Sequence, residues 1–87
     1  MRNLDVTTLR SFVAVAKAGG VTRAVGFLHL TQSAVSMQLK RLEELLVLEL
    51  LDRSGRTIAL IASGEQLLIY ARRMVALNDG VMTRLTD

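Results

Sequence analysis

The stretch that decides the fold is Thr31–Leu46, which reads TQSAVSMQLKRLEELL. Its apolar residues recur at the spacing of one helical face, four, three and four positions apart: Val35, Leu39, Leu42 and Leu46. The opposite face carries small hydroxyls, one thioether and one ammonium: Ser33, Ser36, Met37 and Lys40. Such a face can lie close to a surface and bond base edges or phosphates. The alternative is a core helix with a solvated back, since serine and glutamine are common surface residues.

Length and composition indicate one small domain held together by packing. The 87 residues include no cysteine and no proline, and 51% are hydrophobic. Disulfides and thiolate metal sites are therefore excluded, and helix packing must form the core. The net charge of +3 and the pI near 10.2 favour a polyanionic partner only weakly. The sequence has neither a membrane-spanning apolar run nor an apolar signal core at its start, which predicts a cytoplasmic protein.

Two further helices are predicted before this stretch. The first is expected to begin after a cap at Asp5 and to end at Gly19-Gly20, where glycine turns left-handed without steric cost. Its inner stripe is Leu9, Phe12, Val13 and Ala16. A short helix at about Thr22–Leu28, a turn at His29-Leu30 and a cap at Thr31 then lead into the third helix. This is helix-turn-helix geometry, and it leaves the outer face of the third helix free.

A small β-hairpin is predicted after the third helix, around the turn signal Ser54-Gly55. Two short extended runs, Leu48–Arg53 and Thr57–Leu60, flank this turn. Arg53 and Arg56 flank its tip, where two guanidiniums suit phosphate or minor-groove contact. The alternative is that they are ordinary solvated charges, which are common at hairpin tips.

A long final helix is predicted from about Ala62 or Ser63 to about Leu85. Its stripe is a near-heptad seam, which predicts pairing with the same helix of a second copy. The seam residues are Leu67, Ala71, Met74, Val75, Asn78, Val81, Met82 and Leu85. Ile69 and Leu77 leave further apolar surface that a monomer of this size would not easily bury. The asparagine of the seam either fixes its register or is a solvated amide near the helix end.

Four blocks of the sequence carry a resemblance to a known family. The most specific is LTQSAVSxQLKRLE at 30–43, supported by LxxFxxVA at 9–16, LxxR at 50–53 and GExLLxYAR at 64–72. Together they resemble the DNA-binding domain of LysR-type transcriptional regulators. The resemblance implies a mainly α fold: a winged helix-turn-helix over residues 1–61, with a three-helix core and a hairpin wing, and a linker helix for dimerisation over residues 62–87. It also implies a homodimer that regulates bacterial genes at partly palindromic duplex DNA. The family's effector domain follows the linker helix, so an effector is expected to bind outside these residues.

The same resemblance implies which residues contact DNA. In the family these contacts come from the start and outer face of the third helix and from the wing. The matching residues are Thr31, Gln32, Ser33, Ser36, Met37 and Lys40 on the helix, and Arg53 with the nearby Arg56 on the wing. Gln32 can bond adenine bidentately or lie against a phosphate. Met37 stands where relatives often have a longer polar residue such as arginine, so the preferred DNA site should differ from theirs.

Two positions near helix ends depart from the family pattern. Val47 stands where glycine usually follows the third helix, and a left-handed β-branched residue costs about 1–2 kcal/mol. The backbone either turns differently there or carries strain. Ile61 replaces a threonine cap, at a cost of about 1 kcal/mol, and Ser63 with Gln66 offers a substitute capping box. These departures predict lower stability and unchanged DNA contacts.

Two other function classes fit the sequence less well. A winged helix can serve protein–protein contact, but such surfaces more often expose aromatic residues, and this chain has only Phe12, Phe27 and Tyr70. Tyr70 is expected to be a core ring with its hydroxyl at the surface. An enzyme is poorly supported, because His29 is the single histidine and no carboxylate pair lies in a plausible cleft. No metal or other cofactor is predicted.

Overall fold

The computed structural model describes residues 2–86 as four helices and one hairpin. In chain order they are α1 (Val6–Ala18), α2 (Val21–Leu28), α3 (Gln32–Leu46), β1 (Leu51–Asp52), β2 (Ala59–Leu60) and α4 (Ala62–Leu85). The strands are antiparallel, with Leu51 opposite Leu60 and Asp52 opposite Ala59. The predicted winged helix-turn-helix with a long final helix is confirmed, although the paired strands are shorter than the extended runs in the sequence. Within residues 2–86 no helix combines the length and the apolarity needed to cross a membrane.

The caps of α1 and α3 are formed by the residues that the sequence predicts. Asp5 precedes α1, and its Oδ1 accepts the backbone N–H of Thr7 at 3.0 Å. Gly19 follows α1 in the left-handed conformation with a φ of 78°, at no steric cost to glycine. Thr31 precedes α3, and its Oγ1 accepts the backbone N–H of Ala34 at 3.1 Å. These local hydrogen bonds fix where the helices begin and therefore which faces turn inward.

The core draws on all four helices and on the approach to the hairpin. Its buried apolar residues are Leu9, Phe12, Val15, Ala24, Val35, Leu39, Leu42, Leu50, Leu51 and Ala71. The predicted inner stripe of α1 is correct in part, because Val13 and Ala16 are only half-buried whereas Val15 is fully buried. At about 100° per residue, Val13 is turned well away from Phe12, while Val15 lies beside it on the other side.

One buried polar contact joins α1 to α3. Ser11 is fully buried, and its hydroxyl lies 2.5 Å from Oε1 of Gln38 and 3.3 Å from the carbonyl oxygen of Thr7. A buried hydroxyl without a partner costs about 1–3 kcal/mol, so these two contacts offset the cost of burying Ser11. The contact with Gln38 also holds that residue towards α1 and away from the outer face of α3.

Two residues other than glycine adopt the left-handed conformation within residues 2–86, each at the end of a helix. His29 follows α2 with a φ of 56°, and Val47 follows α3 with a φ of 55°. Of the two alternatives for Val47, the structure therefore has the strained turn. Its side chain is 77% exposed, so packing does not offset the strain.

The start of α4 differs from the prediction. The helix begins at Ala62, directly after Ile61, whose aliphatic side chain cannot accept a capping hydrogen bond. Ser63 lies inside the first turn, and its hydroxyl donates to the backbone carbonyl of Glu49. The predicted capping box of Ser63 and Gln66 is therefore wrong, because Ser63 lies inside the helix and not at the position before it.

Gly64 allows α4 to start against the hairpin. A Cβ at this position would lie 2.1 Å from the carbonyl oxygen of Leu50, a distance that no real side chain reaches. The same carbonyl accepts the backbone N–H of Ile61 at 3.1 Å, which fixes its place. The close contact between α4 and the segment before β1 therefore depends on glycine.

Candidate nucleic-acid interface

The outer face of α3 is exposed along the length that the sequence predicts. Val35, Leu39 and Leu42 are buried and hold the helix against the core. The residues on the other side are exposed: Gln32, Ser33, Ser36, Met37 and Lys40. The Met37 side chain is 53% exposed, so its thioether and methyl group are accessible. The structure thus brings the predicted helix residues together on one accessible face.

The chemistry of this face suits an anionic surface. The segment from Gln32 to Leu42 contains no carboxylate, and Lys40 adds a positive charge to the exposed side. The oxygen of Thr31 accepts the helix N–H, so its hydroxyl proton remains able to donate to another group. Hydroxyl and amide groups can bond base edges, and a lysine can bond a phosphate.

Arg53, the first of the wing arginines, is tied to α3. Its Nη2 lies 3.3 Å from Oε1 of Glu43, and Oε2 of that carboxylate accepts the backbone N–H of Leu50 at 2.8 Å. The Arg53 side chain is 50% exposed and that of Glu43 is 16% exposed. Glu43 therefore fixes the base of the wing relative to α3. An arginine side chain has five N–H donors, so one such contact leaves other donors free.

The tip of the hairpin is a turn stabilised by Asp52. Its Oδ1 accepts the backbone N–H of Ser54 at 2.9 Å and the Ser54 hydroxyl at 2.6 Å. The hydroxyl, and then the backbone N–H, lower the pKa of the Asp52 carboxyl below its ordinary value. The Asp52 carboxylate thus faces the backbone of this turn. Arg56 lies beyond this turn and is exposed.

The predicted dimerisation seam on α4 divides into two parts. Ala71 is fully buried within its own chain, so its assignment to a seam between chains is wrong. The half-buried seam residues Leu67, Met74 and Val75 pack on the same core. Val81, Met82 and Leu85 are 52%, 53% and 78% exposed, and only these apolar members have most of their surface open to a partner. Their role in dimerisation stays a prediction.

An ion pair connects the second half of α4 to α1. Arg10 makes two hydrogen bonds to the Asp79 carboxylate, at 2.6 and 3.0 Å. The hydrogen bond from Arg10, and then that from the Asn78 amide at 3.2 Å, lower the pKa of Asp79 to about 2. Asn78 is half-buried and bonds its neighbour in the chain, and whether it also fixes a register between chains stays a prediction.

A capped helix with an exposed outer face, and a wing held to that helix by Glu43, match one protein family. Residues 6–65 fit the family of bacterial regulatory helix-turn-helix proteins of the lysR type. The chain belongs to this family. DgdR, an HTH-type transcriptional regulator of Burkholderia cepacia, is 40% identical over 84 residues, which cover 97% of this chain and 29% of that protein. PecT, a regulator of Dickeya dadantii, is 47% identical over 77 residues, which cover 88% of this chain and 24% of that protein.

Solved structures of the family share the whole fold. The CbnR DBD in complex with DNA is 36% identical with a TM-score of 0.83, over 95% of this chain and 98% of that one. The BenM DBD in complex with catB site 1 DNA is 29% identical with a TM-score of 0.89, over 95% of this chain and 92% of that one. The resemblance to LysR-type regulators is confirmed, and the curated relatives are transcriptional regulators rather than enzymes. This chain spans about a quarter of the length of those relatives.

Two aromatic side chains are exposed in this family member. Phe27 is 77% exposed, and Tyr70 is 60% exposed with the Arg73 guanidinium 5.9 Å from its ring centroid. The expectation of a core ring at Tyr70 is wrong, because α4 turns that position away from the buried Ala71 side. The scarcity of exposed aromatics therefore no longer argues against a protein-contact role. Within residues 2–86, no cluster of three or more potential metal ligands of the His, Cys, Asp or Glu type occurs.

Sequence reasoning missed two residues that position the interface. Glu43 carries the wing contact, and Gln38 makes the buried bond to α1. Both are separated along the chain from the groups they bond, so no local spacing identifies them. A polar residue on the inner side of an amphipathic helix, such as Gln38, is the one available signal, since it needs a buried partner.

Proposed function

We propose that this chain is a sequence-specific DNA-binding domain that reads the major groove with the outer face of α3. One observation carries the proposal: α3 buries Val35, Leu39 and Leu42 on one face and exposes a row of hydroxyl, amide, thioether and ammonium groups on the other. That row has no carboxylate before Glu43 to repel phosphates. The DNA complexes of the CbnR and BenM domains, which share the fold, support it.

Each residue of the exposed face has a proposed role in that contact. Gln32, Ser33 and Ser36 lie near the start of α3 and are proposed to bond base edges or adjacent phosphates. Thr31 adds a hydroxyl donor at the cap, and Lys40 binds a phosphate. Met37 is proposed to contact a thymine methyl group, because a thioether cannot make the bidentate bond that holds guanine.

The wing is proposed to bind beside the major groove. Arg53 and Arg56 are proposed to contact phosphate or the minor groove, with Glu43 holding Arg53 and the wing base in place. The remaining guanidinium donors of Arg53 stay available for such a contact, because Glu43 engages only one of its nitrogens within the described chain.

The second half of α4 is proposed to pair two copies of the chain. Two α3 helices related by a two-fold axis would read two half-sites of a partly palindromic site. The exposed seam residues Val81, Met82 and Leu85 supply the apolar surface. We place the working protein in the cytoplasm, with any effector site in the part of such regulators that this chain does not cover.

The proposal is tested by binding the chain to a pool of random duplexes at several salt concentrations. The chain should enrich one two-fold motif and lose affinity steeply as salt rises. Lys40→Ala should weaken binding and reduce the salt slope, whereas Met37→Arg should change the enriched bases. Arg72→Ala, which removes the same charge from α4, is the matched control. Equal binding to all duplexes, or a Met37→Arg variant with an unchanged motif, would contradict base reading by α3.

The exposed Phe27 favours a second candidate function, contact with another protein. It lies beside a groove of about 400 Å³ lined by Ala14, Lys17, Ala18 and Arg23. An apolar ring flanked by two cations suits an acidic segment of a partner. Phe27→Ser should leave DNA affinity unchanged and reduce the output of a regulated reporter gene; an unchanged output would exclude this role.

A further inference from the structure

The base of the wing packs against the turn between α1 and α2. The backbone N–H of Ile58 donates to the carbonyl of Gly19 at 2.8 Å, and a Cβ at Gly19 would lie 4.0 Å from that of Thr57. The contact closes a groove of about 350 Å³ between the wing and the start of α2. The residues with polar side chains that line this groove are Thr22, Arg23, Arg56 and Thr57.

This groove concentrates positive charge. None of the described residues that line it is acidic, and Arg23 and Arg56 are both exposed. The ion pairs within residues 2–86 join Arg10 to Asp79 and Arg53 to Glu43, so neither groove arginine takes part in one. Two guanidiniums that line one groove present like charges, which a bound anion would neutralise. Their planar forks match the oxygens of a phosphate, and the two threonine hydroxyls add further donors.

We propose that this groove binds a backbone phosphate of duplex DNA, held jointly by Arg23 and Arg56. The inference rests on the proposed function and extends it to a residue outside α3 and the wing. Because Arg56 belongs to both the wing and the groove, a duplex that reaches the wing also comes within reach of Arg23. The contact anchors the domain beside the bases read by α3, and it carries no sequence information itself.

The arrangement makes a quantitative prediction about salt. Each phosphate that a protein neutralises contributes about 0.9 to the slope of log K against log salt concentration. One shared phosphate therefore accounts for a loss of about 0.9 when both arginines are removed, whereas two separate phosphates would account for about 1.8. The enriched base motif should stay the same in either case, because a phosphate contact does not distinguish bases.

The test measures DNA affinity against salt for the whole chain and four variants. Arg23→Ala should lower the affinity but keep most of the salt slope, because Arg56 still neutralises the phosphate, and Arg23→Lys should retain the affinity. The double variant Arg23→Ala with Arg56→Ala should lose about 0.9 of the slope. Arg72→Ala, an equal change of charge on α4, should keep the wild-type slope. The melting temperatures should all agree, because the exchanged side chains are exposed.

Several results would overturn the inference. An Arg23→Ala affinity equal to that of the wild type would exclude Arg23. A slope loss of about 0.9 for Arg23→Ala alone, or about 1.8 for the double variant, would exclude a shared phosphate. Ethylation interference should locate the bound phosphate outside the enriched motif. A bound phosphate inside the motif would contradict a contact that lies beside the bases read by α3. Saturable binding of inorganic phosphate at micromolar concentration would assign the groove to a free anion. A wild-type chain that binds no duplex would remove the proposed function itself, a result separate from all of these.

Discussion

The two halves of α4, residues 62–75 and 76–85, carry similar apolar spacing in different surroundings. In the first half, Gly64 and Ala71 are buried, and the neighbouring apolar residues pack on the domain's own core. In the second half, Leu77, Val81 and Leu85 are 71%, 52% and 78% exposed. A near-heptad seam therefore does not by itself identify a dimer interface. The core of a small domain uses the part of the seam that it can reach, and only the remainder is open to a partner.

Gly64→Ala should have the largest effect. The added methyl carbon would lie 2.1 Å from the Leu50 carbonyl oxygen, and the hydrogen bond from Ile61 to that oxygen keeps the segment from yielding. We expect the free energy of unfolding to fall by about 3 kcal/mol. Urea unfolding followed by circular dichroism measures this.

Gly80→Ala is the matched control in the second half of α4. Apart from its neighbours along the helix, a Cβ at Gly80 would have no atom of residues 2–86 within 4 Å. Alanine in a helix interior is more favourable than glycine by about 0.5–1 kcal/mol, so this variant should be more stable. Changes of the same sign in both glycine variants would refute the division of α4 into a packed half and an open half.

Val81→Asp should weaken the proposed dimer. The side chain is 52% exposed within one chain, so the fold itself should change little in stability. A charge in an apolar seam between two helices should raise the dimer dissociation constant by at least about tenfold, as measured by sedimentation equilibrium. Thr83→Asp adds the same charge about 200° around the helix from Val81 and should leave the dimer dissociation constant unchanged. Equal effects would exclude the seam as the interface.

Local features of the sequence account for most of the fold. The apolar spacing of α3, the caps at Asp5 and Thr31, and the left-handed Gly19 each depend on residues within a few positions of one another. Their physics is local, so the sequence determines where α1 and α3 begin and which side of α3 is open. The exposed helix residues of the interface follow from the same pattern.

The features that escaped prediction depend on contacts between distant segments. The Ser63 hydroxyl bonds Glu49 instead of capping its helix, and Glu43 bonds the wing. The burial of Ala71 likewise depends on how closely α4 approaches the other helices. Periodicity assigns a residue to a face, but it does not say whether that face meets its own domain or another chain. Only the three-dimensional packing therefore shows which half of the α4 seam stays exposed.

Val47→Gly should give a stabilised background in which both halves of α4 can be compared. Val47 has a φ of 55° and is 77% exposed, so glycine relieves strain without removing packing. After glycine's own entropy cost, the gain should be about 1 kcal/mol, or roughly 4–8 °C in melting temperature. His29→Gly, at a φ of 56°, should gain less because histidine tolerates this conformation better. No change, or a fall, for Val47→Gly would show that the turn does not use the left-handed conformation.

Asp79→Asn should have the smallest effect and should reveal how α4 is tied to α1. Arg10 lowers the pKa of Asp79 to about 2, from an ordinary value of 3.8. A lowered pKa means that the ionised carboxylate stabilises the fold, so the benefit is complete above about pH 5 and is lost as the pH falls towards 2. The side chains of Arg10 and Asp79 are 42% and 51% exposed, so solvent screens the pair and the melting temperatures should differ by little at neutral pH.

That difference in melting temperature should shrink between about pH 4 and pH 2, because the wild-type carboxyl then becomes neutral like the amide. The other carboxylates titrate alike in both proteins, so their contributions cancel when the two melting temperatures are subtracted at each pH. Added salt at neutral pH should narrow the gap in the same way, since it screens an exposed ion pair. A gap that stays constant with both pH and salt would assign the loss to the hydrogen-bonding geometry of the amide rather than to the charge that holds the second half of α4 against α1.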